Sequence, residues 1–168
     1  MKRNMFDKLG LNRSVSAPLK RWNDFPIEFE KDIQSFFYYN MFWLEELICK
    51  MFDFSKIDFL GFEYTEQRKR FDMAFRHGED IIIVEIKKGY NAHSKQAFYQ
   101  LQRYEKLIKD SYCNKVYKVL ITTHLTPGTI DLFKTEKNKT GIILLKEEYN
   151  VNKSLHYIDF SKTKYGFI

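Results

Sequence analysis

The chain has 168 residues, 44% of them hydrophobic, which is enough for one domain with a single sizeable core and short for several. A formal charge of +6 suits a polyanionic partner without requiring one. Only two cysteines, Cys49 and Cys113, and four scattered histidines, His77, His93, His124 and His156, exclude a disulfide framework and a zinc motif, so a reducing intracellular setting is the simplest reading.

Residues 1–26 mix Lys2, Arg3, Lys8, Arg13, Lys20 and Arg21 with Ser14, Ser16 and Pro18, and hold no apolar stretch long enough for a secretory signal. They read as a basic arm: a solvated tail in the plainer account, or a segment touching phosphates with Trp22 anchoring it or stacking on a base. Residues 27–168 read as one domain. A long helix is expected from about Glu28 to Phe52, with Ile33, Phe37, Met41, Leu44, Leu47, Ile48 and Met51 in one apolar arc. Its apolar run stops at Glu45-Glu46, short of a membrane span. On a helical wheel Glu45 lies at the edge of the arc, whereas Glu46 faces away and can pair with Lys50. Some of Phe36, Tyr39, Phe42 and Trp43, on the less buried arc, can form an exposed aromatic patch for a partner or a second copy of the chain.

Asp58 to Glu66 (DFLGFEYTE) reads as the first strand, with a bulge at Gly61. The turn EQRKR follows, either solvated or a phosphate clamp formed by Arg68, Lys69 and Arg70. Next come a strand (RFDMAF), a tight turn (RHGED) and a second strand (IIIVEIKK). Phe71, Met73 and Phe75 alternate with Asp72, Ala74 and Arg76, so Asp72 is expected to point away from the apolar set. Strand IIIVEIKK is apolar on both faces and should lie centrally, with Glu85 and Lys87 on one face. A hairpin closing at Gly78-Glu79 pairs Arg76 with Ile81, Ala74 with Ile83 and Asp72 with Glu85. Two carboxylates face to face away from water call for a cation. Lys87 supplies one positive charge, and a hard divalent ion such as magnesium can supply the rest together with substrate phosphate. The plain alternative is the solvent face of an amphipathic hairpin, with Lys87 as a surface partner.

Gly89-Tyr90-Asn91 makes a loop, Ser94 is expected to cap the next helix, and Lys88, His93 and Lys95 flank it. In that helix Gln100 and Tyr104 are neighbours on one face, beside the core row Ala97, Leu101, Tyr104 and Ile108. Lys115 to Leu125 is a fourth strand, Thr126-Pro127-Gly128 starts a short helix, and Ile142 to Leu145 is a buried fifth strand. Leu155 to Phe160 adds an edge strand, and the tail from Ser161 is uninformative. No internal repeat is present.

Asp72, then Glu85-Ile86-Lys87 at a strand end, then Gln100-Leu101-Gln102-Arg103-Tyr104 on the next helix, resembles the PD-(D/E)xK nuclease superfamily, and more narrowly its RecB-like branch with a Q-x-x-x-Y helix motif. The resemblance covers roughly Glu45 to Leu145 and departs from the pattern in having Phe71, not proline, before Asp72. It implies an α/β, restriction-endonuclease-like core, a central mixed sheet flanked by helices in the order α-β-β-β-α-β. It further implies a metal-dependent nuclease acting on nucleic acid, DNA before RNA. Asp72, Glu85 and the carbonyl of Ile86 would hold Mg²⁺ or Mn²⁺, and Glu45 is the first-helix glutamate the resemblance would add. Lys87, Gln100 and Tyr104 complete the catalytic set, and Arg68, Lys69, Arg70, Lys88 and Lys95 are expected to meet the backbone phosphates. Two cysteines are too few for the iron–sulfur cluster of some RecB-like relatives. Two rivals stay open: a nucleic-acid-binding module that kept the fold without catalysis, and an interaction protein docking through its aromatic first helix.

Overall fold

The computed structural model describes residues 26–66, 69–89, 92–109, 113–137 and 139–168, and for 66, 69, 92–94, 109, 160 and 161 the backbone only. The basic arm, apart from Pro26, therefore lies outside the described residues, as does Arg68. In chain order the elements are α1 (Glu30–Tyr39), α2 (Met41–Phe52), β1 (Asp58–Glu66), β2 (Lys69–His77), β3 (Asp80–Lys87), α3 (Ala92–Lys109), β4 (Val116–Thr122), α4 (Pro127–Lys134), β5 (Gly141–Asn150) and β6 (Leu155–Gly166). Among the described residues no helix is long and apolar enough to cross a membrane.

The strands form one sheet in the order β1-β2-β3-β4-β5-β6. The β1–β2, β2–β3 and β5–β6 pairs are antiparallel, and β3–β4 and β4–β5 are parallel, so the sheet is mixed as expected. The first helix pair covers one face: Ile33, Phe37, Leu44, Leu47 and Ile48 pack on Met73, Phe75, Ile82, Val84, Ile86, Val119 and Ile121. On the other face α3 and α4 bring Ala97, Leu101, Tyr104, Ile108 and Phe133 onto Ile81, Ile83, Val116 and Leu120. The two sets of β3 side chains thus divide as the alternation predicts, and with both faces covered the strand is buried from Ile81 to Ile86.

Four expectations change. The single long helix is two, broken at Asn40, whose φ of −127° leaves the helical region. Its buried Nδ2 donates to the Phe36 carbonyl at 3.0 Å and its N–H to the Phe37 carbonyl at 3.2 Å, the local competition with helix bonding that asparagine favours. Of the four aromatics assigned to the less buried arc, Phe36 and Trp43 are buried, and Tyr39 and Phe42 are exposed. Helix α3 starts at Ala92, so Ser94 lies inside its first turn and does not precede it. Strands β5 and β6 run well past Leu145 and Phe160, because the two pair as a long hairpin as far as Asn150 and Leu155.

A fifth change bears on the site. The β1–β2 register shifts between Phe59 and Gly61, the expected bulge. Farther along, Phe62 and Met73 pair and pack with the first-helix face, but the next pair, Tyr64 and Phe71, packs with the α3 face. Between them Glu63 takes a left-handed φ of 48°, which breaks the period-two alternation. Phe71 therefore does not share a face with Met73 and Phe75. Its ring meets Tyr104 edge-on at 4.9 Å instead.

Candidate active site

The hairpin at Gly78 sets the register as its turn chemistry predicts: Arg76 pairs with Ile81 and Ala74 with Ile83. The ladder ends at Met73 and Val84, so Asp72 and Glu85 are not a regular cross-strand pair. Instead Asp72 turns its side chain into the gap, and Oδ2 accepts the Ile86 N–H at 2.7 Å. Its own carbonyl accepts from Gln34 Nε2 of α1 at 3.1 Å. Asp72 is thus held from both sides, just past the end of the β2–β3 ladder.

Glu85 is buried near the carboxyl end of β3, and Lys87 Nζ lies 2.8 Å from its Oε1. Burial first, then the charge of Asp72, push the Glu85 carboxyl up to about 7, with Lys87 opposing. Burial also raises Asp72, against the Ile86 N–H and Lys87, which lower it. For Lys87 burial works downward, but the carboxylates of Glu85, Glu30 and Asp72 outweigh it and the ammonium is held above its ordinary range. Asp72 and Glu85 are therefore not the expected cross-strand pair, but the charge of Asp72 still acts on Glu85, with Lys87 and Arg70 opposing the two carboxylates.

A third carboxylate reaches this cluster, and it is not the expected one. Glu30, at the start of α1, places Oε2 3.8 Å from Lys87 Nζ and accepts the Lys88 N–H on Oε1 at 3.4 Å. Glu45 has Asp58 and Lys56 as its charged neighbours and is not brought to Asp72 and Glu85. A helical wheel fixes where Glu45 sits around its own helix, not which part of the sheet that side of the helix meets. The signal for Glu30 in the sequence is faint: an acidic first turn, which ordinary helix capping also favours.

From α3, Tyr104 lies close enough to Glu85 for that charge to raise its phenol, after burial. Gln100 Nε2 donates to Tyr104 Oη at 3.4 Å, while the buried Gln100 Oε1 has no partner among the described residues. Of the basic residues expected to meet phosphate, Arg70 is exposed and ion-paired with Glu63, and Lys88 Nζ lies 3.2 Å from Glu147. Lys95 is exposed and ends close to Gly128 at the start of α4. The side chain of Lys69 lies outside the described residues. Among the described residues no group of three or more His, Cys, Asp and Glu side chains is placed to hold a metal ion together.

No family model matches the chain, and no curated protein matches it. Among solved structures it is similar to a repair endonuclease from Pyrococcus abyssi, with a TM-score of 0.52 and 19% identity over 71% of this chain and 48% of that one. It is also similar to EndoMS in the EndoMS–dsDNA2 complex, at a TM-score of 0.44 and 19% identity over 60% of this chain and 41% of that one. A further likeness is to the small subunit of the heterodimeric restriction endonuclease R.BspD6I, at 0.37 and 13%, over 69% of this chain and 72% of that one. The chain spans about half the length of the repair endonuclease. Its mixed sheet and flanking helices have a restriction-endonuclease-like α/β fold, with Asp72, Glu85 and Lys87 on the second and third strands.

Proposed function

We propose that the protein is a metal-dependent nuclease that hydrolyses phosphodiester bonds in nucleic acid, DNA in preference to RNA, and that it belongs to the RecB-like branch of its superfamily through Gln100 and Tyr104. The observation that carries the reading is the pair of carboxylates, Asp72 and Glu85, held largely out of water with Lys87 and, more weakly, Arg70 opposing their charge. Such a pair is short of positive charge. A divalent ion fits that deficit, and Asp72, Glu85 and the Ile86 carbonyl would hold it, with Glu30 as the next carboxylate to hand. The open donor set suits Mg²⁺ or Mn²⁺, which keep waters and take substrate phosphate in place of a full protein cage. When bound, the ion supplies Lewis acidity to the phosphate and lowers the pKa of its water.

The chain's own residues divide the remaining work. Lys87 offers a compact charge on a flexible stem, suited to a phosphate oxygen whose charge grows as the attacking water adds. Glu30 and Glu85 hold Lys87 between them and restrict where its ammonium can go. The unpartnered Gln100 Oε1 is an acceptor for that ammonium or for the attacking water. Tyr104 is a positioning residue that holds the other end of the Gln100 amide. The restriction-endonuclease-like fold, shared with a repair endonuclease, supports the same reading.

The test is cleavage of labelled single-stranded, duplex and branched DNA, and of RNA, in Mg²⁺, Mn²⁺ and EDTA. Metal-dependent cutting is expected, falling by at least about 10²–10³-fold in Glu85→Ala and in Lys87→Ala, with both variants folded. Salt-sensitive DNA binding with no cutting transfers the reading to a binding module of the same fold. Neither activity leaves an interaction protein.

A further inference from the structure

One row of α1 runs from the candidate active site to a cavity. Glu30 meets Lys87, Gln34 meets the main chain of Asp72, and Tyr38, one more turn along, meets Phe62 with ring centroids 5.8 Å apart. At 1.5 Å per residue, Tyr38 stands about 12 Å along the helix from Glu30. That distance equals about three to four nucleotide steps at B-form rise. The cavity is a shallow, open pocket of about 300 Å³ lined by Gln34, Ser35, Tyr38, Tyr39, Phe62 and Glu63. Tyr38 and Tyr39 are 64% and 62% exposed, too wet for core residues of their size. Their rings stand perpendicular at 5.1 Å, giving the cavity two walls at right angles.

We infer that this cavity receives one unpaired nucleobase of the substrate strand, and so directs the enzyme to DNA with single-stranded nucleotides beside the scissile phosphate. The inference rests on the nuclease reading for the identity of its ligand. Flat aromatic walls accept any base face, and stacking of this kind is tolerant of sequence. The polar groups lie in the same cavity: Gln34, whose Nε2 donates to the Asp72 carbonyl, the Ser35 hydroxyl and the Glu63 carboxylate, ion-paired with Arg70. A purely apolar docking groove has no use for three such groups, whereas the edge of a base carries donors and acceptors to match them. Arg70, paired with Glu63 at the rim and 65% exposed, is a cation for the phosphate next to that base. A base stacked in a duplex cannot enter, and extracting it costs pairing and stacking energy, so unpaired nucleotides are favoured.

The experiment uses the full chain in EDTA and a DNA hairpin with a single-stranded overhang carrying 2-aminopurine at successive positions from the junction. At one position fluorescence is expected to be quenched on binding, with no quenching when the same strand is fully paired. Tyr38→Ala should abolish that quenching and weaken overhang binding by about five- to 150-fold, with a smaller effect on paired duplex, while Tyr38→Phe keeps both. Matching thermal melts check that the exposed substitutions leave the fold intact. Quenching that persists in Tyr38→Ala, or equal losses on overhang and duplex, overturns the inference. Quenching without Mg²⁺-dependent cutting supports the base site and removes the nuclease reading. Cutting with no quenched position removes the base site alone.

Discussion

Two clusters of buried charge lie on the same face of the sheet, under the same helix, and they are finished differently. In one, Lys118 of β4 sits 1% exposed with Nζ 2.8 Å from Glu105 and 3.0 Å from Glu136. Glu136 also accepts from Gln102, from the Thr140 N–H at 2.9 Å and from the Thr140 hydroxyl at 2.6 Å. Lysine and carboxylates there close on one another and on their neighbours. In the other cluster, Lys87 faces Glu85, Asp72 and Glu30, a buried amide oxygen of Gln100 has no partner among the described residues, and the Glu85 carboxyl is pushed up to about 7. Helix α3 serves both, giving Glu105 to the first and Tyr104 to the second. Buried charge alone therefore does not mark a working site in this fold. Charge left short of a counterion is the better candidate, because the shortfall is what a ligand can relieve.

The contrast breaks most visibly under truncation. Lys118→Ala strands two buried carboxylates and should lower the unfolding free energy by about 3–5 kcal/mol in urea titrations. Glu85→Gln removes a repelled charge and should leave stability unchanged or raised at pH 8. Equal losses in the two variants would erase the distinction between the clusters.

A pH series on the metal-free protein sharpens it. The Glu85 carboxyl moves from 4.5 unfolded to about 7 folded, so between those values the native state binds the extra proton. Its contribution is most favourable below pH 4.5 and is lost as pH rises through 7, by about 3 kcal/mol in all. Urea midpoints in EDTA should accordingly fall from pH 5 to 8 on account of this group, and the slope should flatten in Glu85→Gln. The smallest effect is expected at Gln100. Gln100→Leu removes an unsatisfied oxygen and should change stability by about 1 kcal/mol or less, toward greater stability, while lowering cleavage. A clear loss of stability would mean that the oxygen has a structural partner after all.

How far the sequence revealed this molecule depended on whether the deciding interaction was local. The Gly78 hairpin, the division of β3 side chains between two faces and the α3 row from Ala97 to Ile108 follow from turn chemistry and periodicity, and they stand in the fold. The break at Asn40 is also local, but it competes with a strong apolar period that continues on both sides, and the period hides it. Glu30 was hidden for the opposite reason: its partners Lys87 and Lys88 are more than fifty residues away and nothing in its own turn announces them. Lys118 looks like a solvent-facing lysine in VYKVLIT, and only the approach of Glu105 and Glu136 makes it interior. The face change at Glu63 needs a left-handed φ that a glutamate does not advertise.

The Asp72 side chain stands in for a main-chain carbonyl, closing the rung where the β2–β3 ladder stops. One carboxylate thus serves two masters, the architecture and the proposed chemistry, whereas Glu85 serves only the second and strains the first. Were selection for cleavage ever relaxed in a lineage carrying this fold, Glu85 would be free to drift at once, and its loss would even be welcome. Asp72 would persist long afterward, held by the sheet. On the proposed function, a descendant that keeps the aspartate and lacks the glutamate is a relic of that cleavage, and the aspartate alone is no sign that it survives.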